Sequence, residues 1–173
     1  IQSAILDLVR EPQFVILDTM DLWISTERDG LLKLVRRCDL LILNDSEAKM
    51  LAGTNNIIVA GRELQKLGVK NVIIKTGEYG AMLFSGDDFF VIPAYPVAAL
   101  HDPTGAGDSF AGALAGYLAG YGKTDFESIK RGMLAGAATA SMTVESFSCY
   151  KLEENGRDEI DRRCQYIKKI SQI

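Results

Sequence analysis

Short, continuous apolar runs alternate along this chain with stretches in which apolar residues recur at helical spacing. The continuous runs occupy residues 14–18, 39–44 and 71–75, and they are typical of strands that are buried on both faces. The helical spacing predicts helices over residues 1–9, 26–37, 46–52, 57–67, 106–121, 126–143 and 158–170. This alternation predicts an α/β fold in which a mostly parallel sheet carries helices on both faces.

Two further strands are predicted over residues 81–85 and 89–92, with only Gly86, Asp87 and Asp88 between them. A connection as short as this joins antiparallel strands. The pattern therefore predicts an antiparallel hairpin toward one edge of the sheet. The length of the chain suits one α/β domain, and we expect that domain to span residues 1–173.

Composition narrows the classes of function. The formal net charge is −4 and no basic cluster is present, so we do not expect nucleic acid as a partner. We expect no membrane partner either, because no apolar run reaches the roughly 18 residues of a membrane span. The three cysteines fit neither a zinc site nor a disulfide framework, which favours free thiols in a cytoplasmic protein.

Polar residues follow the predicted strands at the points where a ligand is expected. Asp18, Asn44 and Lys75 end three strands, and a further polar loop spans residues 102–108. Ligands of open α/β sheets bind outside the carboxyl ends of the strands. The sequence therefore predicts that these loops converge on one crevice.

The loop at residues 102–108 leads into a predicted helix and contains Gly105 and Gly107. Glycine lets the backbone approach a ligand closely, and the unpaired N–H groups of a helix N-terminus favour an anion such as phosphate. Asp108 is unexpected there, because phosphate repels a carboxylate. Asp108 either caps the helix or accepts a proton from an attacking hydroxyl group.

The string Asp-Pro-Thr-Gly-Ala-Gly-Asp-Ser-Phe-Ala-Gly-Ala-Leu, at residues 102–114, closely resembles the C-terminal signature of the ribokinase-like (PfkB) family of small-molecule kinases. The resemblance implies a ribokinase-like three-layer sandwich and ATP-dependent phosphoryl transfer to a hydroxyl of a sugar, sugar phosphate or nucleoside. It also implies that Gly105, Ala106 and Gly107 form an anion hole and that Asp108 is the catalytic base.

A second motif, Asn44-Asp45-Ser46-Glu47, resembles the Asn-x-x-Glu motif with which this family helps to hold magnesium and phosphate. The resemblance implies that Asn44 contacts the nucleotide side of the site and that Glu47 is a magnesium ligand acting through water. Magnesium neutralises the charge of a phosphoryl donor and keeps several of its waters. The alternative is an ordinary helix cap.

A third motif, at residues 75–80, resembles the Gly-x-x-Gly nucleotide-binding loop of the family. The alternative is a turn whose glycines accept positive φ. The resemblance implies ATP contacts at four positions: Lys75, Thr76, Gly77 and Gly80.

Three other positions have two interpretations each. Asp102 and Thr104 match the potassium site of some relatives, although an Asp-Pro pair also starts turns by itself. Phe147 lies in the segment that lines the adenine pocket of relatives. It either stacks on the base or fills the core as aromatic residues ordinarily do.

The resemblance covers only the C-terminal part of the family's pattern. The earlier part, which supplies most acceptor contacts and a small lid, is not visible in the sequence. We therefore expect the nucleotide-binding part of a longer kinase, inactive alone, with ATP and a small-molecule acceptor as partners and homodimerisation left open. Two alternatives remain: a vitamin-precursor (hydroxymethyl) kinase of the same fold, or a non-catalytic nucleotide- or sugar-binding module.

Overall fold

One sheet contains all five strands of the computed structural model, which describes residues 2–172. The spatial order follows the chain order: β1 (Ile16–Asp18), β2 (Leu40–Asn44), β3 (Asn71–Lys75), β4 (Ala81–Ser85) and β5 (Asp88–Ile92). β1, β2 and β3 are parallel, with Ile16 opposite Leu40 and Leu40 opposite Asn71. The predicted parallel strands are confirmed. The apolar residues of β2 and β3 are buried as expected of strands covered on both faces, whereas in β1 only Leu17 is buried.

β4 and β5 complete the sheet as the predicted hairpin. Residues 76–80 join β3 to β4, and Gly86 with Asp87 joins β4 to β5. Neither connection is long enough for a crossover between parallel strands, so both pairs are antiparallel. β5 is the edge strand.

Helices precede and follow the strands along the chain. Those in the described range are α1 (Gln2–Leu8), α2 (Asp21–Thr26), α3 (Arg28–Val35), α4 (Asp45–Ala52), α5 (Ile57–Gln65), α6 (Ala106–Tyr121), α7 (Phe126–Thr143) and α8 (Tyr150–Ile170). Within residues 2–172 no helix combines the length and the apolar character that crossing a membrane requires.

Two helical predictions were wrong in their extent. The helix predicted over residues 26–37 is only α3, and the separate α2 before it was not predicted. α2 buries a single side chain, Ile24, so it has little apolar periodicity. α8 begins at Tyr150 rather than at residue 158, and the non-helical Gly156 (φ 62°, ψ −160°) divides it.

The chain divides into two compact units. The first contains residues up to 75 together with 83–89, and the second contains 76–82 and the residues from 90 onward. The first unit includes β1–β3 and α1–α5. The second includes α6, α7 and α8, where Phe110 of α6 packs on Gly136 of α7 so closely that a Cβ there would lie 2.9 Å from its ring. This contact sets the position of the helix that follows the Gly105 turn.

Candidate functional site

The first unit brings three strand ends to one edge of the sheet. Asp18 is opposite Ile42 in the parallel register, and Asn44 is opposite Lys75. Lys75 Nζ lies 3.0 Å from Asp18 Oδ2, and both side chains are more than two-thirds buried. The prediction that polar residues gather at the carboxyl ends of these strands is confirmed for this unit.

Asn44 and Glu47 form a capping box at the N-terminus of α4. Asn44 Oδ1 accepts the Glu47 N–H at 2.8 Å, and Glu47 Oε2 accepts the Asn44 N–H at 2.8 Å. The cap interpretation of this motif is therefore correct. It uses one carboxylate oxygen of Glu47 and leaves Oε1 without a hydrogen bond to any residue in the range 2–172.

The environment of the Glu47 carboxylate favours a nearby cation. Glu47 is only 8% exposed, and this burial raises its pKa. The hydrogen bond from the Asn44 backbone and the charge of Lys75 oppose the rise, whereas the charges of Asp18 and Asp21 add to it. A bound cation would stabilise the charged form of a carboxylate in this position.

The donor set in the first unit fits magnesium bound partly through water. Magnesium takes one or two carboxylates and keeps several waters, and Glu47 and Asp18 would supply the carboxylates. Beside Asp18, Thr19 Oγ1 is buried and has no hydrogen-bond partner among the described residues. In that part of the chain no three His, Cys, Asp or Glu side chains form a metal cluster of their own.

The loop at residues 76–80, in the second unit, is a tight turn. The N–H and the hydroxyl of Thr76 both donate to the Gly80 carbonyl, at 2.8 and 2.9 Å. Gly80 has φ 105°, and a Cβ there would lie 1.9 Å from the Ile92 carbonyl oxygen, so only glycine fits. The Thr76 proton is thus committed within the loop. The N–H groups of Gly77 and Glu78 have no partner within residues 2–172. If this loop binds a ligand, these backbone donors are therefore the groups available for it.

The N-terminus of α6 has no side-chain cap. Its N-cap is Gly105, in the left-handed conformation at φ 80°. The Ala106 N–H donates to the Pro103 carbonyl at 3.2 Å. By contrast, the N–H groups of Gly105, Gly107 and Asp108 have no hydrogen-bond partner in the described part of the chain. These three donors are available to an anion.

Asp108 lies in the first turn of α6, and its side chain is exposed. Its carboxylate makes no hydrogen bond and no ion pair with any residue from 2 to 172. The interpretation of Asp108 as a helix cap is therefore wrong. A carboxylate that serves no structural contact is free to act on a ligand.

Two other predicted positions have clear surroundings. Asp102 Oδ1 accepts the Thr104 N–H at 2.9 Å. This hydrogen bond, together with one from the Thr104 side chain, lowers the pKa of Asp102. Asp102 therefore organises the turn, as an Asp before Pro103 is expected to do. Phe147 is 60% exposed beside the exposed Tyr150, with 6.2 Å between ring centroids, so its interpretation as a core residue is wrong.

The groups that hold the α6 turn have no recognisable signal in the sequence. The Val144 carbonyl accepts the N–H groups of His101, at 2.7 Å, and of Asp102, at 3.2 Å. The Thr143 hydroxyl lies 2.8 Å from Ser109 Oγ. No signal in the sequence marks a backbone carbonyl as a partner of a distant loop, and Thr143 lies in an ordinary helical pattern.

The sequence of this chain is similar to those of known kinases. Residues 12–155 match the model of the pfkB family of carbohydrate kinases. A cytidine kinase from Thermococcus kodakarensis is 40% identical over 98 residues, which is 56% of this chain and 34% of the relative.

Solved structures show the same fold. Ribokinase from Arabidopsis thaliana, complexed with ribose and ATP, gives a TM-score of 0.70 at 29% identity and covers 87% of this chain and 47% of its own. A putative ribokinase II from E. coli, in complex with ATP and Mg²⁺, gives a TM-score of 0.67 at 29% identity. That match covers 84% of this chain and 45% of the E. coli chain. The chain thus spans about a third of the cytidine kinase and just under half of each solved relative.

Proposed function

Because the chain belongs to the pfkB family of carbohydrate kinases, we propose that it is the nucleotide-binding part of a kinase that transfers phosphate from ATP to a hydroxyl group of a small metabolite. The observation that carries the proposal is the uncapped start of α6. There an exposed carboxylate without a structural partner, Asp108, follows unbonded N–H groups at Gly105 and Gly107. Sugars, sugar phosphates and nucleosides are the proposed acceptors.

Asp108 acts as the general base in this proposal. The acceptor hydroxyl is a poor nucleophile near neutral pH, and the carboxylate takes its proton as the new oxygen–phosphorus bond forms. The bond between the γ-phosphorus and the bridging oxygen of ATP breaks, and ADP leaves. The backbone N–H groups at the start of α6 offset the negative charge that develops on the transferred group.

We propose binding groups for each unit by itself. In the second unit, the backbone of residues 76–80 and the 105–108 turn bind the phosphates, and Phe147 stacks on the adenine. In the first unit, Glu47 and Asp18 would hold magnesium, with Lys75 nearby, and a bound magnesium ion would neutralise negative charge on a phosphoryl donor. A potassium ion at Asp102 and Thr104 stays a prediction.

The cytoplasm is the proposed location, since it supplies ATP and keeps thiols reduced. Cys38, Cys149 and Cys164 are free in the structure. A pure binding module is disfavoured, because a carboxylate facing phosphate weakens binding and Asp108 makes no hydrogen bond or ion pair within residues 2–172 that would compensate.

The proposal is tested with the full-length protein, Mg²⁺-ATP and a panel of sugars and nucleosides. Asp108→Asn keeps the size of the side chain but removes the basic oxygen, so turnover should fall by at least about 10²-fold. The affinity for ATP should stay unchanged or improve slightly, because a negative charge is lost.

The matched control is Asp125→Asn at the start of α7. Asp125 is a true N-cap, whose Oδ1 accepts the Ser128 N–H at 2.8 Å, and an asparagine oxygen can replace it. This variant should keep the parent turnover. A correctly folded Asp108→Asn protein with a near-normal rate would end the assignment of Asp108 as the base.

A further inference from the structure

The C-terminal end of α7 holds both flanks of the turn that carries Asp108. Before the turn, the Val144 carbonyl accepts the N–H groups of His101 and Asp102. After it, the Thr143 hydroxyl lies 2.8 Å from the hydroxyl of Ser109, the residue that follows Asp108. The end of α7 therefore determines where the intervening turn lies within the second unit.

Thr143 contacts this turn through both branches of its side chain. It is 2% exposed. Its methyl carbon Cγ2 lies 3.9 Å from the position that a Cβ would take on Gly105. Its Oγ1 also lies 3.4 Å from the Thr139 carbonyl, a weaker geometry than the 2.8 Å to Ser109. The hydrogen bond between the two hydroxyls is therefore the main polar contact of Thr143.

The end of α7 is itself anchored by α8. Arg163 is 3% exposed, and it donates from Nη1 to Ser141 Oγ at 2.8 Å and from Nη2 to Glu145 Oε2 at 2.6 Å. Its guanidinium lies 4.5 Å from the centroid of the Tyr95 ring. A planar guanidinium with several fixed partners holds them in one arrangement. Because Ser141 and Glu145 bracket Thr143, the hydroxyl of Thr143 has a fixed position from which to hold the turn.

We infer that Thr143 is a positioning residue for proton transfer at Asp108, an inference that rests on the proposed function. Its hydroxyl fixes the first turn of α6 through the hydrogen bond with Ser109, and its methyl group packs beside Gly105. It thereby sets the direction of the Asp108 carboxylate and of the N–H groups beside it. Displacement of a reacting group by about 1 Å can cost roughly 10²-fold in rate, so this role acts on turnover more than on ATP binding.

Thr143→Val tests the inference, because valine keeps the branched shape and removes the hydroxyl. In the full-length enzyme, we expect kcat to fall about tenfold, between the effect of one lost hydrogen bond and that of a 1 Å displacement. The KM for ATP should stay within about twofold of the parent value, since the substitution removes no contact to the nucleotide. Thr143→Ser keeps the hydroxyl and should restore most of kcat.

Thr139→Val is the matched control, one turn earlier on the same helix. Thr139 is also buried, and its Oγ1 has no hydrogen-bond partner within the described residues. This variant should match the parent in kcat and melt at or slightly above the parent temperature, because it removes a buried hydroxyl that has no partner. Equal loss of kcat in the Thr139 and Thr143 valine variants would indicate general packing and overturn the inference, as would a Thr143→Val enzyme with parent kcat.

Ser109→Ala removes the same hydrogen bond from the other side and keeps the test open if Thr143→Val folds poorly. Its kcat should fall as in Thr143→Val, and the double variant should be no worse than either single one. Fully additive losses would contradict the proposed contact. Asp108→Asn is measured alongside: if it keeps parent turnover, the proposed function fails, whereas an impaired Asp108→Asn with an unimpaired Thr143→Val removes only the positioning role.

Discussion

The helices α4 and α6 both begin at a family motif, but only α4 is capped by its own side chains. At α4, Asn44 and Glu47 satisfy each other's backbone N–H groups. At α6, the N-cap is Gly105, and the N–H groups of Gly107 and Asp108 have no partner within residues 2–172. The start of α4, here called the closed corner, holds a carboxylate in one position. The start of α6, the open corner, leaves backbone N–H donors for an anion. The same structural element thus supports two different tasks.

The carboxylates of Glu47 and Asp108 differ in burial and in the contacts that they make. Glu47 is buried, and desolvation raises its pKa, so its charged form is stabilised by a nearby cation. Asp108 is exposed, and its carboxylate makes no hydrogen bond or ion pair with any of residues 2–172. A buried carboxylate suits a metal ligand, and an exposed one suits a base that must reach a substrate.

The largest effect in this comparison is expected for Gly105→Ala, which strains the open corner. Gly105 has φ 80° and Gly53, at the C-terminus of α4, has φ 69°, so an alanine at either position is strained by about 1 kcal/mol. Both variants should lose similar stability in thermal unfolding. Only Gly105→Ala should also lower turnover, by at least about tenfold, because it displaces Asp108. Equal turnover in the two variants would show that the turn at Gly105 is not part of the reaction site.

The sequence predicts most of this fold because its signals are local. β2 and β3 are unbroken apolar runs, and α6 and α7 occupy the predicted residues, with Gly122 at φ 71° ending α6 and Asp125 capping α7. Where an element buries few side chains, as α2 does, the periodicity is too weak to reveal it. The first half of α8 was missed for a similar reason, since few of its residues are buried.

Only the part of the candidate site that consists of characteristic side chains can be predicted from the sequence. The motifs indicate Asn44, Glu47 and Asp108. They do not indicate that the Asp108 carboxylate lacks a hydrogen bond or ion pair within residues 2–172, nor that the Val144 carbonyl holds the preceding loop. Every residue carries a carbonyl, so its partner depends on tertiary structure and has no sequence signature.

A smaller effect is expected when the caps themselves are removed. Asn44→Ala deletes the capping box and should lower the free energy of unfolding by about 1 kcal/mol, or about 2–4 °C in melting temperature. Asp108→Ala should lose only the few tenths of a kcal/mol that a carboxylate in the first turn gains from the helix dipole, because Asp108 forms no cap. Thermal unfolding of both variants at one protein concentration checks this contrast, and comparable losses would mean that the two corners are stabilised alike.

The smallest effect concerns Glu47 and pH. Burial raises the folded-state pKa of Glu47 above its ordinary value of 4.5. The folded state therefore favours the protonated form, and stability from this group falls as pH rises from about 4.5 through the raised pKa. Glu47→Gln keeps an oxygen for the Asn44 N–H but cannot ionise, so it lacks this loss.

Glu47→Gln should accordingly melt at or slightly above the parent temperature at pH 7, and the difference should shrink as pH falls below about 4.5. Glu127→Gln, in the first turn of α7, is the control for removing a carboxylate from a helix start, since the Glu127 side chain is 65% exposed.

Calorimetric titration with an ATP analogue supplies the second measurement. If Glu47 holds magnesium, the gain in affinity that magnesium gives the parent should be reduced in Glu47→Gln and retained in Glu127→Gln. A stability difference independent of pH would show that Glu47 acts only as a cap, and an undiminished effect of magnesium would remove its metal role.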